Sequence, residues 1–143
     1  MKTLTTIITL VFLSFTGTAQ ENASEIEGIT ITVTINNCLN DNGHAIFLLH
    51  TEETFMKGDG IQSTKSVIEE GKAKTTFENV PKGTYAIIAL HDANDNNRMD
   101  FEVNGMPKES YGASGNEMSF GPPNFIDAKF EVNDTDLDLE IRF

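Results

Sequence analysis

The chain has 143 residues and a single cysteine, Cys38, so no intramolecular disulfide can form. Small exported domains often depend on disulfides; this one must rely on its core or on a bound ion, and Cys38 is expected to be a buried thiol. Cations are also scarce. Ten Lys and Arg stand against 22 Asp and Glu, for a formal net charge of −12. Binding nucleic acid needs clustered cations to neutralise phosphates, so that class is excluded as a partner, and anionic membrane surfaces are disfavoured for the same reason. Metal ions, by contrast, are attracted.

Long apolar runs are missing too. The one apolar stretch, Leu4 to Phe15, falls short of the roughly 20 residues a membrane span requires. It follows Lys2 and precedes the small residues Gly17-Thr18-Ala19, the pattern of a secretory signal cut after Ala19. No cysteine follows the cut, which argues against a lipoprotein anchor. The expectation is export to the periplasm or the extracellular space, without membrane insertion. Residues 1–19 are read as the signal, 20–27 as a flexible lead-in and 28–143 as a single domain.

Helical periodicity is absent, and what replaces it is a period of two. Ile29, Ile31, Val33 and Ile35 alternate with Thr30, Thr32, Thr34 and Asn36, as in a half-buried strand. His44 to His50 reads as a second strand, with Asn42-Gly43 before it as a hairpin signal. A weak strand is expected over 65–69, and another over 72–80 with Ala73, Thr75 and Phe77 on one face. Tyr85-Ala86-Ile87-Ile88-Ala89-Leu90 is a short continuous apolar run, suited to a central strand buried on both faces. Ala128, Phe130 and Val132, then Leu137, Leu139, Ile141 and Phe143, complete the series. About seven short strands predict an all-β fold: an antiparallel β-sandwich with Greek-key connections, of immunoglobulin or transthyretin type.

Residues 91–125 break the pattern. So long a connection without periodicity is usually functional or disordered. This one contains Phe101, Val103, Met106, Tyr111, Met118, Phe120 and Phe125, which can pack, so it reads as a long ordered loop. It opens Asp92-Ala93-Asn94-Asp95-Asn96-Asn97-Arg98-Met99-Asp100. Against the calcium-loop pattern, side-chain oxygens fall at positions 1, 3, 5 and 9, from Asp92, Asn94, Asn96 and Asp100, and the Arg98 carbonyl falls at position 7. Position 6 demands a positive φ and is usually glycine; Asn97 is the next most tolerant residue. Position 12, where an EF-hand places a bidentate glutamate, is Val103, so a closing ligand must come from Glu102, Glu109 or elsewhere. The spacing predicts calcium bound by Asp92, Asn94, Asn96, Arg98 and Asp100, bracing residues 92–125. The competing reading is an amide-rich turn that hydrogen-bonds its own backbone.

Other constellations carry less. His44 and His50 share a face but lie roughly 20 Å apart along a strand. His91 beside Asp92 is a strand-end polar residue or a partner for a loop carboxylate. No His/Cys cluster has zinc spacing. Ser110, Ser114 and Ser119 lack a nucleophile elbow, and Ser114-Gly115 reads as turn chemistry.

The order Phe77-x-x-Val80-Pro81-x-Gly83-x-Tyr85-Ala86, then His91-Asp92-x-Asn94-x-Asn96-x-x-x-Asp100, then Gly105-Met106-Pro107-Lys108-Glu109-x-Tyr111-Gly112-x-Ser114, Phe120-Gly121-Pro122-Pro123 and Phe125-x-x-Ala128-x-Phe130 closely resembles the bacterial domain of unknown function 2141. That resemblance implies an exported protein and supplies no reaction. The Pro-x-Gly-x-Tyr segment is similar to transthyretin-like and carboxypeptidase-regulatory-like modules, which implies a binding or accessory role. The expected function is therefore an exported binding module facing a protein or glycan partner. A hydrolase using loop carboxylates and His91, or a purely structural envelope protein, is the alternative.

Overall fold

The computed structural model describes residues 28–116 and 121–143. The expected signal and lead-in, with Met118, Ser119 and Phe120, lie outside them. In chain order the strands are β1 (Ile29–Ile35), β2 (His44–His50), β3 (Gln62–Val67), β4 (Ala73–Val80), β5 (Gly83–Asp92) and β6 (Tyr111–Ala113); after a single-turn helix α1 (Phe125–Ala128) come β7 (Phe130–Val132) and β8 (Leu137–Ile141). They form two sheets, β4-β1-β8 and β3-β2-β5-β6, with β7 pairing the start of β5. The protein is an all-β sandwich.

The alternation in β1 does what its period dictates. Ile31, Val33 and Ile35 are fully buried between the sheets, while Thr30, Thr32 and Thr34 point the other way. Phe47, Leu49, Phe77, Tyr85, Ile87, Val132 and Ile141 meet them in one core. Burying a side chain of this size stabilises by about 1.5–3 kcal/mol, so these contacts set the stability of the fold. β5 is the central strand. Tyr85, Ile87 and Ala89 enter the core, and Ala86, Ile88 and Leu90 on the opposite face are buried as well. That second face continues across β2 through Ile46, Leu48 and His50, which the β2–β5 register sets opposite Leu90, Ile88 and Ala86. At one end Phe55 packs edge-on to both His50 and Phe125, at 5.8 and 5.6 Å.

Four features depart from expectation. The sandwich is not wholly antiparallel: β8 runs parallel to β1, pairing Leu137 with Ile31 and Ile141 with Ile35. β8 is reached by crossing from β7 on the other sheet, and such a crossover permits the parallel sense. Asn42-Gly43 does not close a hairpin, because β1 and β2 belong to different sheets. Gly43 sits at φ +65°, where an added Cβ would lie 1.9 Å from the Asp92 carbonyl oxygen, so the glycine permits a close approach to the end of β5. Eight strands are present among the described residues, and β3 spans 62–67 rather than 65–69. The long connection also has structure of its own: β6, the helix α1 capped by the Asn124 side chain on Asp127 N–H, and a bridge between Phe101 and Pro107.

Candidate functional site

β5 runs two residues past its apolar run, and those two residues found the loop. Successive strand residues face opposite ways. His91 belongs to the inner face: it is 3% exposed, stacks on Phe143, and its Nε2 lies 2.7 Å from the Asn42 carbonyl oxygen, a donor to that acceptor. Asp92 belongs to the outer face, opposite His44, and is 1% exposed. A buried carboxylate must find donors. Asp92 accepts from the backbone N–H groups of Asn96 at 3.0 Å and Asn97 at 2.7 Å, which folds the chain into a tight loop.

The remaining side chains follow the alternation. Asn94 Oδ1 accepts from Asn96 N–H, and Asn96 Oδ1 accepts from Arg98 N–H. The amide nitrogens of Asn94 and Asn96 then converge on a single oxygen, Asp100 Oδ2, at 2.7 and 2.8 Å. These bonds, led by the one from Asn94, together with the Arg98 and Lys108 charges, hold the Asp100 carboxyl below its ordinary range. Asp95 and Asn97 both adopt left-handed backbone, at φ +58° and +64°, so asparagine does fill the position where glycine is usual. Glu109 closes the ring: one carboxylate oxygen accepts from Ala93 N–H and the other from Asp100 N–H, each at 3.1 Å. Of the two closing residues named from sequence, Glu109 reaches the loop.

The loop is also tied sideways to the sheet. His44 pairs with Asp95, and Lys65 Nζ donates to the Asn97 side-chain oxygen. Sequence reasoning missed both, because β2 and β3 meet the loop only in the folded sheet.

Residues 33–140 match the family described as "Uncharacterized protein conserved in bacteria (DUF2141)". The chain belongs to this family. No curated protein matches it. Among solved structures it is similar to the pilus-presented adhesin Cpa, at 12% identity and a TM-score of 0.24, over 80% of this chain and 26% of that one. The chain thus spans about a quarter of the adhesin, and the likeness is too slight to bear on function.

In this DUF2141 chain, Asp92, Asn94, Asn96 and Asp100 are brought together in one network, with Arg98 donating its backbone N–H into it. His91 is not part of that network; it faces the core side of the strand end. Among the described residues no three His, Cys, Asp or Glu side chains are gathered as a group that could hold a metal ion. Ser114 and Gly115 form the turn expected, closed by Asn116 N–H donating to the Ala113 carbonyl at 3.2 Å with Gly115 at φ +87°, and the Ser114 side chain has a structural role besides. It is buried, accepts from Ile87 N–H at 2.8 Å and donates to the Ala128 carbonyl. Cys38 is the buried thiol expected, and burial, followed by the Asp41 charge, raises its pKa. No helix among the described residues is long and apolar enough to cross a membrane.

Proposed function

We propose that this DUF2141 protein is an exported, non-enzymatic binding or accessory module in which one calcium ion braces the segment that begins at Asp92. The single observation that supports the reading is the convergence of Asn94 and Asn96 on Asp100 Oδ2, across a loop already folded around Asp92. Calcium takes six to eight oxygens, with room for water. The donors available are the carboxylates of Asp92, Asp100 and Glu109, the amide oxygens of Asn94 and Asn96, and the Arg98 carbonyl. Binding would exchange two amide-to-carboxylate hydrogen bonds for ligation, with both amides turning their oxygens inward. The alternating oxygen-bearing side chains, the left-handed Asn97 and the acidic chain favour this exchange.

The test is thermal unfolding in excess calcium against chelator, with calorimetric titration beside it. An ion present at a hundredfold excess over Kd stabilises by about 2.7 kcal/mol, so the melting temperature should rise by several degrees. Asp92→Ala combined with Asp100→Ala should abolish both signals, and Glu109→Gln should weaken binding. An unchanged melting temperature together with no binding heat leaves the loop a self-satisfied turn.

A further inference from the structure

Three places in the chain set an aspartate or asparagine before glycine: Asn42-Gly43, Asp59-Gly60 and Asn104-Gly105. Such pairs share one weakness. The glycine nitrogen can attack the side-chain carbonyl carbon of the residue before it, because glycine has no Cβ to screen the approach; asparagine is accordingly among the thermolabile residues. Asn42, Asp59 and Asn104 are all exposed, so exposure does not tell them apart. Backbone freedom does. Closing the ring turns the peptide between the two residues, and only φ and ψ supply that motion. A Cβ built on Gly43 would lie 1.9 Å from the Asp92 carbonyl oxygen, and the carbonyl of the same peptide, on Asn42, is held by His91 Nε2 at 2.7 Å. A Cβ built on Gly60 would lie 2.2 Å from the Leu49 carbonyl oxygen, which also accepts from Ile61 N–H at 2.8 Å. Both glycines are wedged against a strand. Gly105 stands clear: among the described residues a Cβ there would meet nothing within 4 Å.

Gly105 belongs to a small hairpin, in which Glu102 N–H donates to the Met106 carbonyl at 2.7 Å and Lys108 N–H to the Asp100 carbonyl at 2.8 Å. Met106 N–H also donates to Asn104 Oδ1 at 3.1 Å. The side-chain carbonyl therefore already reaches forward across Gly105, with a donor set to stabilise the charge that attack places on its oxygen. One contact opposes the reaction: Gly105 N–H donates to the Glu102 carbonyl at 2.8 Å. A single exposed hydrogen bond slows a reaction that must break it by about tenfold or less.

We infer that Asn104 is a site of spontaneous modification in the folded protein, where asparagine converts through a cyclic imide to aspartate and isoaspartate. The Gly105 nitrogen bonds to Asn104 Cγ as the Cγ–Nδ2 bond breaks, and the departing amide takes the Gly105 proton and leaves as ammonia. Water then opens the imide. Addition at Cγ yields aspartate; addition at the main-chain carbonyl yields isoaspartate. No electrons change hands. Either product adds a negative charge, and isoaspartate also inserts a methylene into the main chain between Asp100 and Glu109, the carboxylates that tie the loop. The site is independent of the calcium reading.

The test holds the full chain in heavy-oxygen water, folded and guanidinium-unfolded, then digests it in ordinary water. Mass spectrometry with fragmentation that separates aspartate from isoaspartate locates the label. Each imide that opens takes up one heavy oxygen, so the three sites are read on one scale, each against its own unfolded rate. Asn104 should keep its unfolded rate to within about tenfold. Asn42 and Asp59 wait for strand-anchored backbone to open and should be slowed by at least about a further tenfold. The Asn104 rate should rise with pH, because the attacking nitrogen must shed its proton. Asn104→Gln, whose longer side chain closes a less favourable ring, should abolish labelling at position 104 and leave the melting temperature unchanged. The inference is overturned if Asn104 in the folded chain takes up no label. It is overturned equally if Asn42 or Asp59 keeps as large a share of its unfolded rate as Asn104 does, or if the label persists at position 104 in the Asn104→Gln protein.

Discussion

The sandwich and the segment from Asp92 to Glu109 are held by opposite means. In the sandwich, Ile35, Phe47, Ile87 and Ile141 are fully buried, and stability comes from apolar area removed from water. In the segment, Phe101, Val103 and Met106 are exposed, and order comes from side chains bonding backbone N–H groups: Asp92, Asn94, Asn96 and Glu109 each do so. Apolar packing is nondirectional and tolerates exchange of one aliphatic side chain for another. A hydrogen-bonded loop is directional and depends on each acceptor. Substitutions should therefore separate global stability from loop geometry.

The largest expected effect lies in the core. Phe47→Ala removes a fully buried ring from between the sheets and should cost about 3–5 kcal/mol, read as a lowered urea midpoint; a loss below about 1 kcal/mol would show that the core can collapse around the gap. Asp92→Ala leaves Asn97 N–H without its acceptor and Asn96 N–H with only Asn94, and should cost about 1–3 kcal/mol. Amide exchange should locate the loss in residues 93–100; a uniform loss across the sheets would break the contrast between the regions.

A smaller effect is set by His50, buried on β2 with Nδ1 lacking a hydrogen-bond partner among the described residues. Burial lowers its pKa from the ordinary value of 6.5. The unfolded chain therefore accepts a proton below that value which the folded chain declines, so stability falls as pH drops through 6.5. His50→Phe should flatten the melting temperature between pH 7 and 5 relative to the parent; an unchanged profile would show that other groups govern it. The smallest effect belongs to Val103→Asp. Its site is fully exposed, and the stability change should stay within about 0.5 kcal/mol, with a calorimetric melt as the check.

The same division explains what the sequence discloses. β2 can be placed from 44 to 50 because its apolar middle is bounded by turn residues, and β5 from its unbroken run. β3, Gln-Ser-Thr-Lys-Ser-Val, has no such signal, since as an edge strand it keeps one side of each alternation wet. The parallel sense of β8 depends on which sheet the preceding strand occupies, a fact no local window contains. In the loop, the 1-3-5-7-9 spacing and the positive φ of Asn97 are legible because they are local. The pairing of His44 with Asp95 and of Lys65 with Asn97 is not, because strand register brings those residues together. Asn42-Gly43 is a true turn signal, but the close approach it permits is to Asp92 rather than to a neighbouring strand.

The end of β5 has one further consequence. His91 is fastened to Asn42 and stacked on Phe143, Gly43 packs against the Asp92 carbonyl, and β5 is hydrogen-bonded along both edges. The point where the loop leaves the sheet is a fixed mount. The segment between that point and β6 can be lengthened, shortened or rewritten without sliding any strand past its neighbour. A lineage built on this frame is free to diversify its outward head while inheriting an unchanged chassis.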